Sequence, residues 1–190
     1  FNVFVFLEIS SLSTYVLIAS GSYRDKRALT AAFNYLIMGT IGASFYLLGV
    51  GYLYIKTGTL NMTDIHAALV TLPKDSPSIQ VALILILIGL WIKMAFFPLH
   101  GWLPNAYAYS PTATSTLMGP LVTKVMIYVM IRMMLSLFGA EYVFDHLQWT
   151  NIIVGLSVIA IVAGSLFALS RSDLRKMLTY LIVAEVGYMV

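Results

Sequence analysis

Apolar residues run along this chain in blocks of membrane-spanning length, separated by short polar connections. The runs Ile79 to Phe97 and Ile152 to Leu169 are each close to the ~20 residues that a bilayer-spanning helix needs. The pattern predicts spans over 2–20, 28–55, 79–110, 114–138, 151–170 and 174–190, all in one membrane domain covering 1–190. The third of these is interrupted. Pro98 removes a backbone donor in mid-run, and Gly101 and Pro104 follow closely, so the helix is expected to break near 98–104. A bilayer tolerates such a break where the freed backbone groups face protein or water, which makes it a pointer to an ion or substrate site. The alternative is a plain span followed by a Pro-rich surface loop.

The connections carry their own signals. Between Lys56 and Ser78, the longest of them, Asn61-Met-Thr-Asp64 resembles a helix start. Ile65 to Leu72 then predicts a short interfacial helix, stopped by Pro73 and Pro77. In the second span, Gly39, Gly42, Gly49 and Gly51 are small residues of the kind that let helices approach. Basic residues gather in 21–27 (Arg24, Lys26, Arg27) and in 171–176 (Arg171, Arg175, Lys176). Alternation through the four spans between them puts both on one side, and the positive-inside rule makes that side cytoplasmic or its equivalent. The stretch 139–150 holds Glu141 and Asp145 and no Lys or Arg, as suits the opposite side. Phe1 and Val190 both fall inside apolar runs, so the sequence is expected to be a fragment of a longer chain.

Composition sharpens this into a fold class. The chain is 60% hydrophobic and only 10% charged, against ~25% charged in an ordinary soluble domain. The expectation is an all-α, polytopic transmembrane helix bundle with a discontinuous helix, in a bacterial or archaeal cell membrane or an organelle inner membrane. The net charge of +3 follows the connections and forms no basic stripe with interleaved aromatics, so a nucleic-acid partner is set aside. With no cysteine, thiolate metal sites, iron–sulfur clusters and disulfides are excluded. No nucleotide, flavin, quinone or metal motif is present, so no cofactor and no catalytic site are expected in this stretch.

Four ionisable residues then stand out at mid-span depth: Glu8, Lys93, Lys124 and Glu185. A charge at the bilayer centre costs at least ~2.5 kcal/mol, so each should face the bundle interior and find a partner or water. Glu8 shares a helix face with Ser11, Leu12 and Tyr15, a polar stripe in an apolar segment. Lys93 comes one turn before Pro98, with His100 just beyond. Burial raises a carboxyl pKa and lowers an amine pKa, whereas pairing the two opposes both shifts. A Glu and a Lys that couple and decouple would change proton affinity with conformation, which is the chemistry of a proton relay. Lys124 and Glu185 have no opposite charge within a turn, so their partners must come from other helices or water. His100 is placed to exchange a proton with Lys93, or to serve a structural hydrogen bond. His66 and His146 read as ordinary connection residues.

The stretch Lys93-Met-Ala-Phe-Phe-Pro98-Leu-His-Gly-Trp-Leu-Pro104-Asn-Ala, with Ser110-Pro-Thr-Ala-Thr and Val122-Thr-Lys124-Val-Met-Ile-Tyr, resembles the antiporter-like proton-translocating family. That family comprises the large membrane subunits of respiratory complex I, related subunits of membrane-bound hydrogenases, and the D and A subunits of Mrp cation/proton antiporters. The likeness extends to Phe6-Leu-Glu8-Ile-Ser-Ser-Leu-Ser-Thr-Tyr15 and Ser172-Asp-Leu-Arg-Lys-Met-Leu-Thr-Tyr180, covering nearly the whole chain in order. The resemblance implies that Glu8 and Lys93 are the family's glutamate and broken-helix lysine, and that Lys124 is the lysine that passes protons onward. It also implies part of a fold of two inverted five-helix repeats. Glu185 stands where complex I subunits often have His, so the onward relay keeps a titratable group of another type. The residues around Lys124 resemble the Mrp D type more than complex I.

These observations lead to proton translocation within a larger ion-pumping complex, with other membrane subunits and the lipid bilayer as partners. Redox chemistry, as in an NADH:quinone oxidoreductase or a membrane hydrogenase, would belong to those partners. Sodium/proton antiport in an Mrp-type complex is the nearest alternative. A third reading, of another class, is a structural scaffold whose charges merely lock helices together.

Overall fold

A computed structural model of the chain describes residues 2–73, 76–146 and 149–190, with side chains at 145 and 146 outside the description. Parts of the two polar connections, at 74–75 and 147–148, and the side chain of His146 thus lie outside the described residues. The described residues are helical and contain no strand. Eight α-helices follow in order: α1 (Asn2–Ala19), α2 (Arg27–Thr57), α3 (Met62–Thr71), α4 (Pro77–Lys93), α5 (Leu103–Tyr109), α6 (Thr112–Arg132), α7 (Thr150–Leu169) and α8 (Leu174–Met189). A 3₁₀ turn at Ser20–Tyr23 follows α1. α6 runs on into a π-helical turn at Met133–Phe138, and a second π-turn spans Glu141–His146.

Local chemistry sets the boundaries. The Asn61 side chain accepts from the Thr63 N–H at 3.1 Å and starts α3. Asp173 does the same for α8 through the Arg175 N–H at 2.9 Å. α2 stops at Gly58, whose φ of +72° is the left-handed conformation that glycine adopts freely, and its N–H closes onto the Tyr54 carbonyl. Pro77 opens α4 at its first turn, where no backbone donor is needed.

Four helical segments are long and apolar enough to cross a membrane: Asn2–Tyr23, Arg27–Thr57, Thr112–Phe138 and Thr150–Leu169. α4 is apolar but shorter, because the third run breaks earlier than the position of Pro98 suggests. The helix stops at Lys93, so Lys93 is its last residue and does not lie a turn inside it. The reason is steric: a proline ring collides with the carbonyl four residues back, here that of Met94, so the disruption reaches ahead of Pro98. Ala95 turns through a φ of +58°, and the chain resumes as α5 with Pro104 in its first turn. Leu103, Pro104, Ala106, Tyr107 and Ala108 of α5 are buried. The segment after the break is thus an internal half-helix and no surface loop.

Glycines let the helices close. In α2, a Cβ on Gly42 would come within 3.0 Å of the Gly89 carbonyl, and one on Gly49 within 2.6 Å of Ile86. Gly89 of α4 answers from the other side, where a Cβ would come within 2.6 Å of the Gly42 carbonyl. α7 and α8 pair the same way, Gly164 against Ala184 and Gly187 against Ala160. Gly51, expected to pack, instead faces open space. The buried core lies where α1, α4 and α6 meet, around Leu7, Leu83, Leu90, Met94, Phe96 and Met126. Outward, Phe6, Val16, Ile55 and Leu169 are exposed, an apolar surface suited to lipid or to further apolar protein.

Adding a methyl group at Gly49 should cost about 1–3 kcal/mol by overpacking, whereas Gly51→Ala should be neutral. Thermal unfolding of the two variants in detergent checks this; equal melting temperatures would contradict the seam.

Candidate functional site

The site is built on the last turn of α4. Lys93 is 4% exposed, and its ammonium donates to Glu8 Oε1 at 2.5 Å and to Ser11 Oγ at 3.1 Å. Ser11 in turn donates to the Leu7 carbonyl at 2.9 Å. Glu8 and Ser11 lie on one face of α1, as the polar stripe predicted, with Tyr15 buried further along, whereas Leu12 turns outward. The helix end supplies more than position. The C-terminal carbonyls of α4 carry the negative end of its dipole, which favours a cation there.

The break leaves carbonyls without intrahelical partners, and the chain reuses them. The Phe96 N–H reaches back to the Trp91 carbonyl at 2.9 Å, and the Trp102 indole N–H donates to the Ile92 carbonyl at 3.0 Å. Trp102 therefore ties α5 to the residue next to Lys93. It also stacks on Tyr35 of α2, with centroids 4.2 Å apart and planes within 5°. The ammonium sits in a rigid frame made of α1, α2, α4 and α5.

The two partners differ in freedom. The Glu8 side chain is 28% exposed and the Lys93 side chain 4%, so Lys93 is the more enclosed member of the pair. Parting them would leave an uncompensated buried charge, at about 3–5 kcal/mol. Such a charge is relieved by water or by loss of a proton.

A second pair joins the other two predicted residues. Lys124 on α6 donates to Glu185 Oε2 on α8 at 2.6 Å, with 31% and 42% of the side chains exposed. The two residues lie 61 positions apart, so neither run of sequence disclosed the partner. The only legible signal was opposite sign at similar depth. A cleft of about 640 Å³ adjoins this pair, lined by Tyr107, Thr116, Pro120, Thr179, Lys124 and Glu185. Pro120 stands inside α6, one turn before Lys124.

His100 is placed differently from the expectation of an exchange with Lys93. Its ring stacks on Phe97 (5.3 Å) and lies 6.1 Å from each of Phe167 on α7 and Tyr180 on α8. Its Nδ1 is buried without a hydrogen-bond partner among the described residues. Of the break residues, Pro98 and Gly101 line a shallow cleft with Asn34, Met38 and Trp102.

The basic connections meet at one end of the bundle. Arg175 donates to the carbonyls of Ala108 and Ser110 and to Thr112 Oγ1. Lys176 donates to the Tyr109 hydroxyl at 3.0 Å, and the Arg27 guanidinium lies 4.5 Å over the Tyr109 ring. Arg27 also bonds Asp25 and holds that exposed carboxyl below its ordinary pKa. Both basic segments thus grip the corner between α5 and α6, a feature that the sequence pattern did not reveal.

The family model described as "NADH:quinone oxidoreductase/Mrp antiporter, TM" matches residues 1–190. The chain is 47% identical over 190 residues to NADH-quinone oxidoreductase subunit N of Desulforudis audaxviator, covering all of this chain and 37% of that protein. It is 34% identical to the D-type subunit of the Na(+)/H(+) antiporter of Alkalihalophilus pseudofirmus, again over all of this chain and 37% of the relative. The structure of the Mrp complex from Dietzia contains a chain that superposes with a TM-score of 0.87 at 29% identity, over 99% of this chain and 34% of that one. The chain therefore spans about a third of the length of the relatives it matches.

If the Lys124–Glu185 contact is energetic, Lys124→Ala and Glu185→Ala should be non-additive, with a coupling of about 1 kcal/mol in a double-mutant cycle. Additive losses in thermal stability would make the contact incidental.

Proposed function

This chain belongs to the NADH:quinone oxidoreductase/Mrp antiporter transmembrane family, and on that premise we propose that it translocates protons as one component of a larger membrane complex. It is an integral, multi-pass membrane protein built on an all-α bundle. The observation that carries the reading is a buried ammonium at a broken helix end, paired with a less enclosed carboxylate on a neighbouring helix.

With the pair closed, the Glu8 carboxylate and the Ser11 oxygen stabilise charged Lys93. Withdrawal of Glu8 removes the counter-charge, and an uncompensated amine in an apolar site gives up its proton more readily. The second pair is the natural acceptor: Lys124 takes up a proton when Glu185 approaches and releases it when Glu185 turns away. His100, ringed by aromatics of α7 and α8, would serve the junction between the halves more than Lys93 itself.

Relatives named for an oxidoreductase and for a sodium/proton antiporter both match over the full chain. Sodium/proton antiport within an Mrp-type assembly is accordingly the second reading. The leaning toward the Mrp D type drawn from the residues around Lys124 gains no support from overall identity, at 47% to the oxidoreductase relative and 34% to the antiporter relative. In an oxidoreductase the redox chemistry would belong to partner proteins, whereas antiport would be driven by an ion gradient. The joint grip of 21–27 and 171–176 on the α5–α6 corner supports their lying on one side, which the positive-inside rule makes cytoplasmic.

In vesicles carrying the assembled full-length complex, Glu8→Gln and Lys93→Ala should each abolish dye-detected proton uptake while assembly persists. Lys93→Arg is sharper: it keeps the cation and the pairing but holds its proton far more tightly than an amine, so it should assemble well and still fail to translocate. Parent-level transport by these variants would remove the pair from the mechanism, and loss of assembly with unchanged transport per complex would favour the scaffold reading.

A further inference from the structure

The polar stripe of α1 does not end at the ion pair. Seven residues beyond Glu8, toward the connection at 20–26, Tyr15 is 7% exposed, and its buried hydroxyl makes no close hydrogen bond among the described residues, with only a weak interaction with the Ser11 side chain. A buried hydroxyl so poorly satisfied is destabilising, and native structures keep few of them without a use. A phenylalanine would fill the same space without that penalty.

Several features hold this hydroxyl where it is. The Tyr15 ring meets Tyr35 edge-on, with centroids 4.8 Å apart and planes at 87°. Tyr35 stacks on Trp102, and Trp102 is bonded to the carbonyl of Ile92, next to Lys93. The frame that positions the ammonium therefore also positions this ring. The space for the oxygen comes from Gly39, where a Cβ would collide with the Tyr15 hydroxyl. Glycine at that place therefore serves the hydroxyl, in contrast to Gly42 and Gly49, which serve the contact between α2 and α4. Ser11 neighbours Tyr15 one turn back on the same face and is already bonded to Lys93.

We infer that Tyr15 is the proton gate of the Glu8–Lys93 pair on the side of the basic connections, exchanging protons with Lys93 through Ser11. The inference rests on the proton-translocating reading above. From Tyr15 to the end of α1 is about one turn of helix, ~6 Å, so water entering from the 20–26 connection has little distance to cover. In the inward step the Tyr15 O–H passes its proton to Ser11 Oγ, Ser11 passes its own to a neutral Lys93 amine, and the Tyr15 oxygen takes a proton from hydronium delivered by that water, which is left neutral. Only O–H and N–H bonds are made and broken, and no tyrosinate accumulates. In the structure Lys93 is paired and Ser11 donates to the Leu7 carbonyl, so the hydroxyl chain is disengaged. Release of Glu8 and a rotation of the Ser11 hydroxyl would engage it.

The test uses the assembled full-length complex in vesicles. Tyr15→Phe keeps the ring and its packing on Tyr35, so assembly should match the parent while the rate of proton uptake falls by about tenfold or more, the range for loss of a positioned proton-transfer group. The residual rate should show a changed solvent deuterium isotope effect, which a packing role would not alter. Gly39→Ala displaces the hydroxyl from the α2 side and should lower the rate in the same way. Parent rates and isotope effects in both variants would overturn the inference. Lys93→Arg run in parallel separates the two proposals. If it is inactive while Tyr15→Phe is normal, only the gate fails; if Lys93→Arg also transports normally, the proton-translocating reading falls with it.

Discussion

An ammonium held in the apolar interior of a helix bundle must be compensated, and most of the architecture around Lys93 follows from that constraint. The helix that carries Lys93 ends on it, so the negative end of the α4 dipole lies at the residue that bears the charge. Glu8 supplies the opposite charge and Ser11 a further acceptor. Trp102 satisfies the Ile92 carbonyl and locks α5 to the break. The close glycine contacts between α2 and α4 keep the frame narrow enough for one chain to surround the amine.

The two ion pairs are built alike in chemistry and differently in setting. The first has a locked lysine and a freer glutamate. The second lies at the edge of the described bundle, with both side chains partly exposed to a cleft. An ion pair whose members are part exposed is held less strongly than one shielded from water. A scaffold whose charges only lock helices together would have no need of a poorly satisfied hydroxyl on the same face as the first pair.

Bulk architecture was open to reading because apolar runs, basic connections and Pro/Gly punctuation act locally. Asn61 and Asp173 cap helices through residues two positions away, so their effect is written in the adjacent sequence. The broken helix was legible for the same reason, although its end at Lys93 required the clash of the Pro98 ring with the carbonyl four residues back. Glu8, Lys93, Lys124 and Glu185 all stood out by their depth in apolar runs, and the family resemblance added roles for the first three.

By itself the sequence determined that this is a multi-span helical membrane protein with buried charges at a helix break, because bilayer thickness and backbone hydrogen bonding leave no other use for such a pattern. Only the tertiary structure decided who meets whom. Lys124 and Glu185 are 61 positions apart, His100 turns to Phe167 and Tyr180, and Tyr15 projects into the space left by Gly39. Those outcomes depend on how helices rotate and approach one another, a choice made by side-chain packing across the whole bundle that no single run of residues encodes.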